Sequence, residues 1–197
     1  DKNGGRTMST SLGTRANYGV NAGGKSVSNA AFALTEPVEE VSQLKGYVAL
    51  QFGKLDRWFE EEEELLGHPR DPYTRIDVRR SNRHVVVYLD GTTVMETRRP
   101  LVLLETGLQL RYYVPMTDVN WECLRETETE TICPYKGRSR YWSIVVGETT
   151  IEDVVWNYPN PFNDAEPVRD CVGLYHEKLD IWVDGEQLEK EQTCFTK

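Results

Sequence analysis

Residues able to do chemistry crowd into three short stretches of this 197-residue chain. The richest runs from Thr129 to Ser143. It sets a thiol (Cys133), two phenols (Tyr135 and Tyr141), an amine (Lys136) and an indole (Trp142) in and around one turn. The stretch from Glu105 to Pro115 adds a carboxylate, Arg111 and the pair Tyr112-Tyr113, and Trp156-Asn157-Tyr158-Pro159 adds two more rings. Glu105 suits general acid/base work. Arg111 and Lys136 suit binding of an anion or a carbonyl, and Lys136 also has Schiff-base chemistry open to it. Cys133 is a candidate nucleophile if a cation such as Lys136 or Arg111 stabilises its thiolate. Tyr113, Tyr135, Tyr141, Trp142, Trp156 and Tyr158 are candidate hydrogen-bonding walls of a pocket, and His176 a candidate general base. Each has a plainer alternative: Cys133 as a small buried hydrophobe, Lys136 as a solvated turn residue, Glu105 and Arg111 as a structural ion pair, and the rings as core.

The elements that must position these groups read as short strands. Arg75 to Arg80 alternates, His84 to Leu89 is β-branched, and Thr92 to Thr97 follows after Asp90-Gly91. Asp-Gly between two such runs marks a hairpin, because both turn residues need positive φ. Leu101 to Glu105 and Leu110 to Val114 flank Gly107; Thr129 to Cys133, Tyr141 to Val146, Thr149 to Ile151 and Leu179 to Val183 complete the set. Tyr112 and Tyr113 must point to opposite faces of their strand. Two helical pieces are expected, one from Asp118 as a cap through Leu124 and one turn at Glu152 to Trp156. Many short strands punctuated by turns predict an all-β fold with minor α content, an antiparallel barrel-like or tent-like domain.

The chain also repeats itself at an offset of 124 residues. Val48 to Glu62 matches Val172 to Glu186, Ala30 to Pro37 matches Val154 to Pro161, and Leu12 to Tyr18 matches Lys136 to Trp142, without a gap. The register predicts two copies of one domain: an incomplete copy at 1–66, a linker at 67–73, a complete copy at 74–190 and a tail at 191–197. His68-Pro69-Arg70-Asp71-Pro72 excludes helix, since each Pro forces its predecessor to extended geometry. Strands equivalent to Thr74 through Tyr113 have no counterpart in the first copy. Three explanations stay open: the natural chain begins earlier, processing removed them, or the partial copy packs against the complete one. Cys133 aligns with Ser9, Tyr135 with Ser11, Lys136 with Leu12 and Trp142 with Tyr18, whereas Lys54/Lys178, Leu55/Leu179, Asp56/Asp180 and Trp58/Trp182 are kept. A furnished pocket is therefore expected in the second copy alone. His176 replaces Phe52.

Bulk properties narrow the partners. A net charge of −9 and a pI near 5.0 argue against a nucleic acid. No run approaches a membrane span, and no signal peptide is visible. Four scattered cysteines without a CxxC pair, and three histidines, point away from a structural metal and a disulfide framework and toward reduced thiols in the cytoplasm. Gly19-Val20-Asn21-Ala22-Gly23-Gly24-Lys25-Ser26 fits the P-loop spacing, but its flanks suit neither the strand nor the helix that motif needs, and the repeat aligns it with a hairpin. Glu60 to Glu64 reads as a solvated charge run.

The motifs Glu105-Thr106…Arg111-Tyr112-Tyr113-Val114-Pro115, Asp118-Val119, Thr131-Ile132-Cys133-Pro134-Tyr135-Lys136-Gly137…Tyr141-Trp142, Trp156-Asn157-Tyr158-Pro159-Asn160-Pro161 and Val183-Asp184-Gly185-Glu186 together resemble the domain of unknown function family numbered 427, which also carries a nucleotidyltransferase-like label. The resemblance covers residues 70 to 187 closely and 9 to 66 as a degenerate copy, and is similar to tandem versions in fungi. It implies a compact, mainly β domain and brings no catalytic residue with it. The expected function is small-molecule binding with acid–base chemistry of the lyase, isomerase or cyclase type, needing no cofactor, metal or nucleotide. The alternatives are a non-catalytic ligand-binding or interaction module and a nucleotidyltransferase-like enzyme. Homodimerisation is left open.

Overall fold

The computed structural model describes residues 6–9 and 11–190. The expected tail at 191–197, with Cys194, lies outside the described residues. The chain divides into two compact units, Asp1–Pro69 and Arg70–Lys197. The division falls beside the prolines of the connector, where helix is excluded.

In the first unit β1 (Arg6–Ser9), β2 (Gly13–Ala22), β3 (Lys25–Pro37) and β4 (Val48–Leu50) form an antiparallel sheet in that order. The P-loop-like segment is the β2–β3 hairpin, turning at Gly23 and Gly24 with φ of 56° and 78°. A strand follows it, so no helix N-terminus is available to a phosphate. The acidic run lies in a small hairpin of β5 (Phe59–Glu60) and β6 (Glu63–Glu64).

The second unit contains β7 (Ile76–Arg80), β8 (Val85–Leu89), β9 (Thr92–Thr97), β10 (Leu101–Glu105), β11 (Arg111–Pro115), β12 (Leu124–Cys133), β13 (Gly137–Val146), β14 (Thr149–Asn157), β15 (Cys171–Leu174), β16 (Asp180–Val183) and β17 (Glu186–Gln187). They build a seven-stranded sheet, β12-β13-β14-β15-β11-β10-β7, and a four-stranded sheet, β17-β16-β8-β9. The protein is thus mainly β with antiparallel sheets. The barrel reading needs correction: β12 and β7 end the larger sheet unpaired to each other, so it stays open. The Asp90-Gly91 turn has the two positive φ values its hairpin needs, 47° and 76°.

Strand alternation gives the larger sheet two different faces. One face contributes Tyr112, Val114, Ile144, Val155, Val172 and Leu174 to the main apolar core, which also takes Val85, Val87 and Ile181 from the smaller sheet. The opposite face carries Leu103, Tyr113, Tyr141, Trp156 and Tyr158 and is backed by Ala165 and Val168 of the 3₁₀ turn Asn163–Val168. This second face positions the candidate site.

Two local expectations are overturned. Glu152 to Trp156 belongs to β14, because Val154 and Val155 are β-branched and its residues pair with β13 and β15. Asp153, at φ 50°, marks a break in the β13–β14 register, and its carboxylate accepts from the Thr127 and Thr129 hydroxyls at 2.7 Å each. Asp118 caps no helix. It accepts from Thr97 and Arg99, which hold its carboxyl down to about 2, while Asn120 caps the 3₁₀ turn Trp121–Cys123.

Several features recur 124 residues apart. The spans of β2 and β13, the 3₁₀ turns Glu39–Leu44 and Asn163–Val168, and the positive-φ pairs Asn29/Asp153 and Gly23/Gly147 share that spacing.

Candidate functional site

The site grows from two loops and one sheet face. Glu105 closes β10 and Arg111 opens β11, so the intervening loop brings both to the same end of the sheet. Lys136 occupies the tight β12–β13 turn, closed by its N–H donating to the Cys133 carbonyl at 3.3 Å. Gly137 follows at φ 108°, with its Cα so near the Asn160 carbonyl that a Cβ would sit 3.1 Å from the oxygen. Glycine is what permits both the turn and that approach.

Two ion pairs result. The Lys136 ammonium donates to Glu105, both side chains being 9% exposed. The Arg111 guanidinium grips the Glu177 carboxylate in a fork, at 2.7 and 2.5 Å, with exposures of 10% and 0%. A planar, two-bond fork is the geometry that best repays the desolvation of such a pair.

Between these pairs lies a cavity of about 350 Å³. The four candidate catalytic groups, Glu105, Arg111, Cys133 and Lys136, border it, as do Tyr113, Tyr141, Trp156 and Tyr158. The Trp156 ring stands edge-on to Tyr113, its indole N–H donating to the phenol oxygen at 3.2 Å. Tyr175 packs 4.6 Å from Trp156, centroid to centroid. Thr131 hydrogen-bonds the Tyr141 hydroxyl at 2.9 Å. Burial pushes the phenols of Tyr113, Tyr158 and Tyr175 well above their ordinary range, so they remain protonated donors at neutral pH.

Three sequence-predicted residues lie elsewhere. Trp142 neighbours Tyr141 on β13, so alternation sends it to the main core, where it meets Trp121 at 5.7 Å. The Tyr135 hydroxyl accepts from the Asp71 backbone N–H at 2.9 Å. His176 stacks on Tyr112 and borders a separate cavity of about 390 Å³ with Gln109 and Leu188. Burial, with Arg111 nearby, lowers its pKa to about 4, so the imidazole is neutral and a weak base.

Tyr175, Glu177 and Thr131 are members that the sequence reading did not select. The 124-residue sequence register held a usable signal for two of them. Tyr175 stands against Gln51 and Glu177 against Gly53, the same kind of divergence that marked Cys133 and Lys136.

Gly173 makes the aromatic wall possible. It pairs across strands with Trp156, and a Cβ there would lie 2.6 Å from the indole ring. In the first unit the pair 124 positions earlier is Ala49 and Phe32, a larger partner beside a smaller ring. Gly173→Ala should therefore displace Trp156 and cost about 1–3 kcal/mol, the usual penalty of overpacking. Urea denaturation checks the loss, and adding Trp156→Phe should recover most of it. A single variant as stable as the parent would refute this packing account.

The arrangement defines a class: a mainly β protein whose open sheet supports an aromatic cavity bordered by a carboxylate and two cations, each cation paired. Among the described residues, no group of three or more His, Cys, Asp or Glu side chains is placed to hold a metal ion, and no helix is long and apolar enough to cross a membrane. The sequence profile of the family described as Domain of unknown function (DUF427) matches residues 77–185, and the chain belongs to that family. No curated protein matches the chain.

Proposed function

We propose that the protein binds a small organic molecule in the second-unit cavity and acts on it by acid–base chemistry of the isomerase or lyase type. The observation that carries this reading is convergence. Glu105 and Arg111 from one loop and Lys136 from a turn some 25 residues further on border one concavity walled by aromatic rings. A few polar groups converging in a largely apolar hollow is the common form of a ligand site. Glu105 is the proton-transfer group, Lys136 steadies its charge, and Arg111, fixed by Glu177, orients the floor. A duplicated β domain, with only the later copy furnished, belongs to the same reading. It is supported by the 124-residue spacing of strands, turns and positive-φ residues and by Leu12, Asn17 and Phe32 standing where the cavity has Lys136, Tyr141 and Trp156.

A non-catalytic binding module is the second reading. It is favoured by the mutual saturation of the two ion pairs, which leaves the cations already neutralised.

The test is a mutant series. Glu105→Gln, Cys133→Ser and Lys136→Met should retain the parent's circular dichroism while differing in a small-molecule melting-shift screen. Compounds that raise the parent's melting temperature by several degrees should lose most of that effect in the Lys136 variant and keep it in Glu105→Gln. Unchanged shifts in all three variants would remove the cavity as the binding site. Turnover by the parent, lost in Glu105→Gln with binding retained, separates the enzyme from the module.

A further inference from the structure

The hydroxyls around the cavity are not equally occupied. Thr131 bonds both Ser139 and Tyr141, at 2.7 and 2.9 Å. Tyr113 accepts from Trp156, which uses a lone pair on its oxygen and leaves its proton to give. Tyr158 is only 6% exposed, borders the cavity, and among the described residues has no hydrogen-bond partner for its hydroxyl. Its hydroxyl is not among the fully buried unpartnered polar atoms, so it is reachable from the hollow and open to an acceptor placed there. Tyr113 and Tyr158 thus offer the same space two O–H donors. The cations offer it little net charge, because Lys136 is matched by Glu105 and Arg111 by Glu177. A carboxylate or phosphate gains little in such a site. An uncharged oxygen acceptor gains two donors.

We propose that Tyr113 and Tyr158 form the oxygen-binding end of this cavity, and that its substrate class is an uncharged, ring-bearing carbonyl compound enolised by Glu105. The proposal rests on the cavity reading above and names its substrate. The step balances without a co-reactant. The Glu105 carboxylate takes a proton from the carbon α to the carbonyl. The C–H electron pair becomes a C=C bond, and the carbonyl π pair moves onto oxygen. The two phenols hydrogen-bond the resulting enolate oxygen. The proton then returns from the Glu105 carboxyl to the α carbon or, where the substrate carries a β,γ double bond conjugated with the enolate, to the γ carbon, leaving the double bond at α,β; that second outcome is an isomerisation. Donors pre-set where negative charge develops give the largest share of stabilisation in such reactions. Phenols held protonated by burial serve this purpose without losing their own proton. Trp156, Tyr175 and Tyr141 supply flat walls, and about 350 Å³ accommodates a one- or two-ring molecule.

The test uses the full chain and three matched probes: tetralin, 2-tetralone and 2-naphthoate. Isothermal titration should show 2-tetralone binding about tenfold more tightly than tetralin, the worth of two neutral hydrogen bonds, with 2-naphthoate weakest. Tyr158→Phe should remove most of the ketone's advantage and leave tetralin unchanged. In D₂O, NMR should show the parent accelerating exchange of the 2-tetralone α-protons and Glu105→Gln binding the ketone without that acceleration. A ketone no tighter than tetralin, an unaffected Tyr158→Phe, or a preference for the naphthoate would overturn the proposal. Tight binding without exchange would overturn the enolisation while leaving the binding reading standing. If none of the probes binds, the cavity reading falls, and this proposal with it.

Discussion

Glu177→Gln lowers the stability of the second unit by about 3–5 kcal/mol, the range for breaking a buried ion pair by removing one partner. The size follows from what is left behind. Glu177 is fully buried and accepts two hydrogen bonds from Arg111, whose side chain is 10% exposed. The glutamine keeps the volume but supplies neither the charge nor the second acceptor oxygen. A guanidinium would then sit in a low-dielectric wall with its attraction gone. Urea denaturation followed at the second-unit transition reads the loss as a drop in midpoint with the slope unchanged. The companion variant, Arg111→Met with Glu177→Leu, should be more stable than Glu177→Gln alone, because it removes both charges together. A Glu177→Gln loss below about 1 kcal/mol would mean that water reaches the pair and that the cavity floor is softer than its burial implies.

Stability should also fall by roughly 3 kcal/mol as pH drops from about 6.5 to about 4, and His176 should be responsible. Its imidazole is held neutral, with a pKa lowered to about 4 from an ordinary 6.5, chiefly because burial penalises the charged form. In the unfolded chain the ring takes up a proton near pH 6.5. In the folded chain it resists until about pH 4. Between those values the unfolded state binds more protons, so acid favours unfolding; above the window the term is fully present, and below it is lost. Asp118 acts in a separate, more acidic window, since its carboxyl is lowered from 3.8 to about 2. His176→Phe places there the residue found at Phe52, and should flatten the curve between pH 6.5 and 4. It should also cost about 1 kcal/mol at neutral pH, because the Tyr112 N–H loses its acceptor. Equilibrium denaturation at closely spaced pH values distinguishes the two slopes. A variant with the parent's slope would exclude His176 as the source.

The strands of this chain were legible because their causes are local. β-Branched runs such as Val85-Val86-Val87, punctuated by Asp90-Gly91 and Asp184-Gly185, leave few alternatives to hairpins, and the strands lie there. The 124-residue register of the sequence added which of its matched positions differ, and these include residues bordering the cavity. Local signals failed where a distant partner decides the outcome. Glu152 to Trp156 has helix-compatible residues at its start, but cross-strand pairing with β13 and β15 makes it a strand. Asp118 has the chemistry of a cap and is claimed instead by Arg99 and Thr97.

The same division separates the site from its sequence motifs. Composition and motif spacing by themselves determined a mainly β protein with a thiol, an amine, a carboxylate and many rings concentrated near its turns. They left open which rings share a hollow, because that depends on strand phase: one residue's shift sends Tyr141 to the cavity and Trp142 to the core. They also left open how charges pair, because Arg111 and Glu177 are 66 positions apart and meet only when β11 and β15 lie side by side. Residue types are carried by the chain. Their convergence, and therefore the chemistry available, is a property of how the strands are packed.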